Sequence, residues 1–132
     1  MNNKGQLNIL IADDEAHVRV IIKAYFTPYN VNIVEARNGK EVIEILDEDN
    51  IDLIVLDYTM PIMTGKDVLE EILKREGLKR VPVIVYTAGG FDEQIERWLK
   101  TSSAAFIEKY SLGDDLIPTV KEILGSNLKK KN

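Results

Sequence analysis

The sequence predicts a doubly wound α/β domain, a five-stranded parallel sheet in the order 2-1-3-4-5 with helices on both faces. Three observations predict it. Five short apolar runs alternate with stretches of helical periodicity, as in a βαβ series. Polar residues gather where those runs end, which is where ligands sit on an open parallel sheet. The chain's 132 residues fit one domain and leave no room for a second.

The strands are expected at residues 7–12, 31–36, 52–57, 81–87 and 104–109. Between the first two, Val18, Ile21, Ile22, Tyr25 and Phe26 recur at the spacing of one helical stripe, and Pro28 ends that helix. Asn38, with Glu41 three positions on, caps a second helix whose apolar side carries Val42, Ile45 and Leu46, with its exit at Asn50. Thr64 opens a third helix carrying Val68, Leu69, Ile72 and Leu73, and Gly77 falls where a left-handed stop belongs.

Pro82 is placed at the start of the fourth strand, where its missing N–H is tolerated. After Gly89 and Gly90 a short helix is expected from about Asp92 to Lys100, with Ile95, Trp98 and Leu99 inward. Pro118 is harmless only in a first helical turn, so the last helix is expected from about Asp114 to Leu124. The organisation is therefore an extension at 1–6, a domain at 7–125 and a frayed, lysine-rich tail at 126–132.

Composition narrows the function. Apolar residues make up 45% and charged residues 30%, an ordinary globular balance. A net charge of −5 removes the usual electrostatic basis for holding nucleic acid. With no cysteine and one histidine, thiolate and multi-histidine metal sites are excluded, so any metal must sit on oxygen. Residues 1–6 carry no secretory signal and no apolar run approaches the ~20 residues of a membrane span, so membrane insertion is not expected and a cytoplasmic location is.

Asp13 and Asp14 follow the first strand, Asp57 ends the third, Thr87 the fourth and Lys109 the fifth. In the order 2-1-3-4-5 the first and third strands adjoin at the switch point, so the three aspartates converge. Crowded carboxylates call for a cation, and Mg²⁺ fits because it binds through a few carboxylates and completes its shell with phosphate oxygens. Asp57 is then placed to attack phosphorus, Lys109 to neutralise the transferring group, and Thr87 to bond a phosphoryl oxygen and move its loop. Taken singly, each residue has a plainer reading: Asp13 and Asp14 as a helix cap, Thr87 as a strand former, Lys109 as a surface lysine, and the lone His17 as a surface polar residue.

Four motifs in order, Asp13-Asp14-Glu15, Leu56-Asp57-Tyr58-Thr59-Met60-Pro61-Ile62-Met63-Thr64-Gly65, Tyr86-Thr87-Ala88 and Phe106-Ile107-Glu108-Lys109, make residues 7–125 resemble the receiver domains of two-component response regulators. The resemblance implies a flavodoxin-like (βα)5 fold and a stand-alone, chemotaxis-regulator-like phosphoacceptor rather than a multiple-turnover enzyme. It makes Asp57 the phosphoacceptor, Asp14 a direct Mg²⁺ ligand, Asp13 a carboxylate acting largely through water, and the Thr59 carbonyl a further ligand. It gives Thr87 and Lys109 contacts to the phosphoryl group and Phe106 the rotating aromatic position.

It further implies a histidine kinase or histidine phosphotransfer protein as donor, a protein target downstream, output through the last two helices and fifth strand, and scope for a phosphorylation-dependent dimer. Two positions depart from the family pattern: Tyr110 stands where proline usually follows the lysine, and Ser102-Ser103 where a Gly-Ala pair usually precedes the last strand. A binding-only pseudo-receiver and a receiver cut from a longer regulator or hybrid kinase are the alternatives. A phosphatase with an aspartate nucleophile is disfavoured because Thr59 stands where such enzymes carry a second acid.

Overall fold

The computed structural model describes residues 5–75, 81–89 and 93–132. Five strands, β1 (Leu7–Ala12), β2 (Val31–Ala36), β3 (Leu53–Asp57), β4 (Val83–Thr87) and β5 (Ala105–Glu108), form one parallel sheet in the order β2-β1-β3-β4-β5. Five helices connect or follow them: α1 (Ala16–Tyr25), α2 (Gly39–Glu48), α3 (Gly65–Lys74), α4 (Glu93–Ser102) and α5 (Leu112–Leu124).

Strand side chains alternate between two cores, because successive residues of a strand point to opposite faces. On one face Leu10, Ala12, Ile54, Leu56, Val83 and Val85 pack under α2, α3 and α4. On the other, Ile9, Ile11, Leu53, Val55, Ile84 and Tyr86 pack under α1 and α5. All five residues of β3 and of β4 are buried, so the centre of the sheet is a rigid support for whatever its C-terminal ends carry.

Local signals set the helix starts. The Asn38 side chain accepts from the Glu41 N–H at 2.9 Å, and Thr64 and Asp67 bond each other's backbone N–H groups reciprocally, the capping box that opens α3. At the opposite end of β3, Asp52 lies just before the strand and its Oδ2 accepts from the Asn8 N–H at 2.7 Å. The fourth strand begins at Val83, directly after Pro82, and the fifth ends at Glu108, so Lys109 opens a short 3-10 turn.

Three expectations are corrected. On α1, Val18, Ile22 and Phe26 are buried, but Ile21 is 48% exposed, so the buried stripe is narrower than the apolar pattern. Helix α5 starts at Leu112, which leaves Pro118 in its interior. The missing hydrogen bond and ring clash cost ~3 kcal/mol or more, offset by the burial of Leu112, Leu116 and Val120 along one stripe.

The C-terminal residues do not fray. The Asn30 N–H donates to the Lys129 carbonyl at 2.7 Å and the Lys131 N–H to the Pro28 carbonyl at 2.8 Å. Tyr29 and Lys130 form an antiparallel bridge, and Leu128 packs against the α1/α5 core. The lysine side chains stay in water while the backbone pairs. The expected stop at Gly77 and the expected start at Asp92 lie outside the described residues.

Candidate functional site

The C-terminal ends of β1 and β3 adjoin, because Ala12 pairs with Leu56 and the next residue on each strand is an aspartate. One carboxylate oxygen from each of Asp13, Asp14 and Asp57 lies within 4.8 Å of the others. Asp13 is fully buried and Asp57 is 5% exposed, whereas Asp14 faces solvent. The cluster is thus a buried pair opened to water on one side.

Burial pushes the Asp57 carboxyl up to about 7. The Thr59 N–H, 3.1 Å from Asp57 Oδ1, and the charge of Lys109 oppose that rise, while the charges of Asp13 and Asp14 add to it. A carboxylate this uncomfortable is relieved by positive charge. The donor set is oxygen alone and suits a hard cation.

Lys109 follows β5, and its Nζ stands 3.2 Å from Glu15 Oε1. Burial works against its charge, but the Glu15 hydrogen bond and the charges of Asp13, Glu15 and Asp57 outweigh burial and raise its pKa. Thr87 is buried at the end of β4, and its Oγ1 accepts from the Gly89 N–H at 3.2 Å. Phe106 is half-buried against the core under α2, α3 and α4.

The loop after Asp57 is held from below. The Gly65 N–H donates to the Tyr58 carbonyl at 2.8 Å, and Met60 is buried. Ile62 is 79% exposed with φ at +69°, a left-handed conformation that costs a β-branched residue of order 1–3 kcal/mol. Tyr110, which follows Lys109, is 81% exposed. His17 is an exposed residue whose Nε2 lies 3.4 Å from Glu15 Oε2.

The response regulator receiver domain matches residues 9–121. The chain belongs to that family. A receiver domain of this family is a signalling phosphoacceptor module rather than a conventional enzyme.

The two-component response regulator ORR7 of Oryza sativa subsp. japonica is 31% identical over 102 residues, covering 76% of this chain and 49% of its own. The transcriptional regulatory protein ResD of Bacillus subtilis is 32% identical over 124 residues, covering 94% of this chain and 50% of its own. The receiver domain thus spans about half the length of these relatives. Among solved structures, the response regulator TrrA of Thermotoga maritima, in complex with Mg²⁺-BeF, is 28% identical with a TM-score of 0.78, covering 90% of this chain and all of its own. The Francisella response regulator 1452 receiver domain is also 28% identical, with a TM-score of 0.75 over 87% of this chain and 94% of its own.

Sequence reasoning missed three contributors. Tyr86 donates from Oη to Asp13 Oδ2 at 2.5 Å, Arg19 donates from Nη1 to the Asp13 carbonyl at 2.7 Å, and Glu15 holds Lys109. The signal for Tyr86 was present: a phenol inside a continuously apolar strand must find a partner for its hydroxyl. Arg19 and Glu15 carry no such signal, because charged residues near a helix start are usually solvated.

Proposed function

We propose that this receiver domain is a phosphoacceptor switch in which Asp57 takes a phosphoryl group in a Mg²⁺-dependent reaction. The observation that carries the reading is the convergence of Asp13, Asp14 and Asp57 within 4.8 Å at the ends of adjacent strands. The Mg²⁺-BeF complex of TrrA supports the same choice of ion by similarity.

Asp13, Asp14 and Asp57 would hold the ion through carboxylate oxygens, Asp13 largely through water, with the Thr59 carbonyl as a further ligand. When bound, Mg²⁺ offsets the crowded negative charge of the cluster and that of the incoming phosphoryl group. The Asp57 carboxylate attacks phosphorus, a new O–P bond forms, and the O–P or N–P bond to the donor breaks in line. The Thr59 N–H orients the carboxylate. Lys109 exchanges Glu15 for a phosphoryl oxygen, and Thr87 gives up its bond from Gly89 to donate to another. That motion of Thr87 draws Gly89 toward the site and biases the packing of α4, β5 and α5, with Phe106 turning between exposed and buried positions.

The donor is a histidine kinase or a histidine phosphotransfer protein, and output passes through protein contacts on α4, β5 and α5, with room for a phosphorylation-dependent dimer. The chain acts without multiple turnover and without direct nucleic-acid binding, as a cytoplasmic protein. No helix among the described residues is long and apolar enough to cross a membrane.

The test is incubation with acetyl phosphate and Mg²⁺ followed by intact-mass analysis. One base-labile phosphoryl adduct is expected on the wild-type chain and none on Asp57→Asn. A chain that stays unlabelled while folded is a binding module instead, and equal labelling of Asp57→Asn moves the acceptor elsewhere.

A further inference from the structure

Tyr86 lies on β4 and Asp13 directly follows β1, two strands that do not pair, since β3 runs between them. Strands lie ~4.8 Å apart, so the span from β4 to β1 is roughly 10 Å. Tyr86 pairs with Asp57 in the sheet register, and both point to the α1/α5 side together with Asp13. The phenol therefore reaches across the width of β3 to the carboxylate beyond it.

Every polar group of Asp13 is engaged. Its N–H donates to the Ala36 carbonyl at 3.1 Å, and its carbonyl accepts from Arg19. Oδ1 accepts from the Glu15 N–H at 2.8 Å, and Oδ2 accepts from Tyr86 Oη. The first three partners come from β2, α1 and the turn after β1. Tyr86 alone comes from the far side of β3. A carboxylate with no solvent exposure has no water to satisfy its oxygens, so protein donors must do so. A shorter hydroxyl cannot span the distance, phenylalanine brings no donor, and lysine or arginine would put a full charge under the sheet end.

We propose that Tyr86 is a positioning residue for the metal-dependent reaction, holding the Asp13 carboxylate turned toward Asp57 and Asp14. It also ties the strand that carries Thr87 to the ligand side of the site. This rests on the phosphoacceptor reading above, in which Asp13 serves the ion. Partners that orient a ligand carboxylate typically contribute ~10–100-fold to metal affinity.

The experiment is a double-mutant cycle of Tyr86→Phe and Asp13→Asn in the full chain. Mg²⁺ affinity is read from backbone amide shifts in NMR, with urea unfolding in metal-free buffer as the second readout. Tyr86→Phe is expected to weaken Mg²⁺ binding about 10-fold or more, and to change it less than about 2-fold once Asp13 is asparagine. It is likewise expected to lower metal-free stability, with coupling to Asp13 in the same sense.

An unchanged or tighter Mg²⁺ affinity in Tyr86→Phe overturns the proposal, as does an equal loss in the Asp13→Asn background, which is what a purely packing role gives. A wild-type chain whose amides ignore Mg²⁺ overturns the positioning role along with the phosphoacceptor reading. That outcome is told apart from failure of the inference alone, in which the wild type binds Mg²⁺ but the cycle shows no coupling.

Discussion

Lys109 Nζ and Glu15 Oε1 stand 3.2 Å apart, so the lysine assigned to the phosphoryl group is paired with a rim carboxylate before any phosphoryl group arrives. Both side chains are partly exposed. A pair of this kind contributes ~0–1 kcal/mol, enough to restrain the lysine and too little to trap it.

Glu15→Gln releases Lys109 and removes one negative charge from the path of an anionic donor. Labelling by acetyl phosphate at subsaturating concentration should quicken about 2- to 5-fold, the range that such a weak pair allows. Initial rates at two salt concentrations check this, and the gain should shrink at high salt. A slower variant would mean that Glu15 helps to place Lys109 rather than withholding it.

Asp57 gives a stability profile with a definite sign. Its ordinary value is 3.8 and its folded value about 7, so between these values the folded state holds a proton that the unfolded chain has released. Metal-free stability should therefore fall as pH rises from about 4 to about 7 and level off above. Asp57→Asn should flatten that arm and be more stable at pH 8 by about 2 kcal/mol, a figure kept low because water reaches the cluster from the Asp14 side. Urea unfolding of both proteins with chelator present measures it, and Mg²⁺ should stabilise only the wild type appreciably.

Gly65 is required by a close approach rather than by a special φ. A Cβ there would meet the Asp57 carbonyl at 2.5 Å, Tyr58 Cα at 2.5 Å and the Tyr58 carbonyl oxygen at 2.9 Å, all backbone atoms of the acceptor loop. Gly65→Ala should cost about 1–3 kcal/mol and also slow labelling of Asp57, because relief of the clash shifts that loop. Lys66→Ala, one residue on, should do neither.

Ending the chain after Asn127 removes the backbone pairs of Lys129 and Lys131 and the packing of Leu128. The loss expected is about 1–2 kcal/mol, or roughly 3–8 °C in Tm. Changing the three tail lysines to alanine should leave Tm within about 1 °C, since the backbone makes the pairs. An equal loss in both variants would place the contribution in the charges.

Much of the fold was legible because its signals are local. The strand β3 is a continuous apolar run, the Asn38 and Thr64 caps are two- to four-residue patterns, and the aspartates, Thr87 and Lys109 fall at strand ends. What was misread involves partners distant in sequence. Ile21 has the right spacing for the α1 stripe, but how wide a stripe is buried depends on where α1 sits against the sheet. Leu112 extends α5 past a proline because the α1/α5 core rewards its burial. The tail lysines look like a solvated end until Pro28 and Asn30 offer their backbone groups.

The sequence by itself determined the class of the fold, the order of its elements and the side chains that end each strand, since periodicity, caps and polar punctuation are written residue by residue. Only the tertiary structure decided which distant atoms meet: that Tyr86 reaches across β3 to Asp13, that Lys109 rests on Glu15, and that the C-terminus is paired. Those contacts join residues 73, 94 and about 100 positions apart, and their geometry follows from strand register and helix packing, which no local pattern encodes.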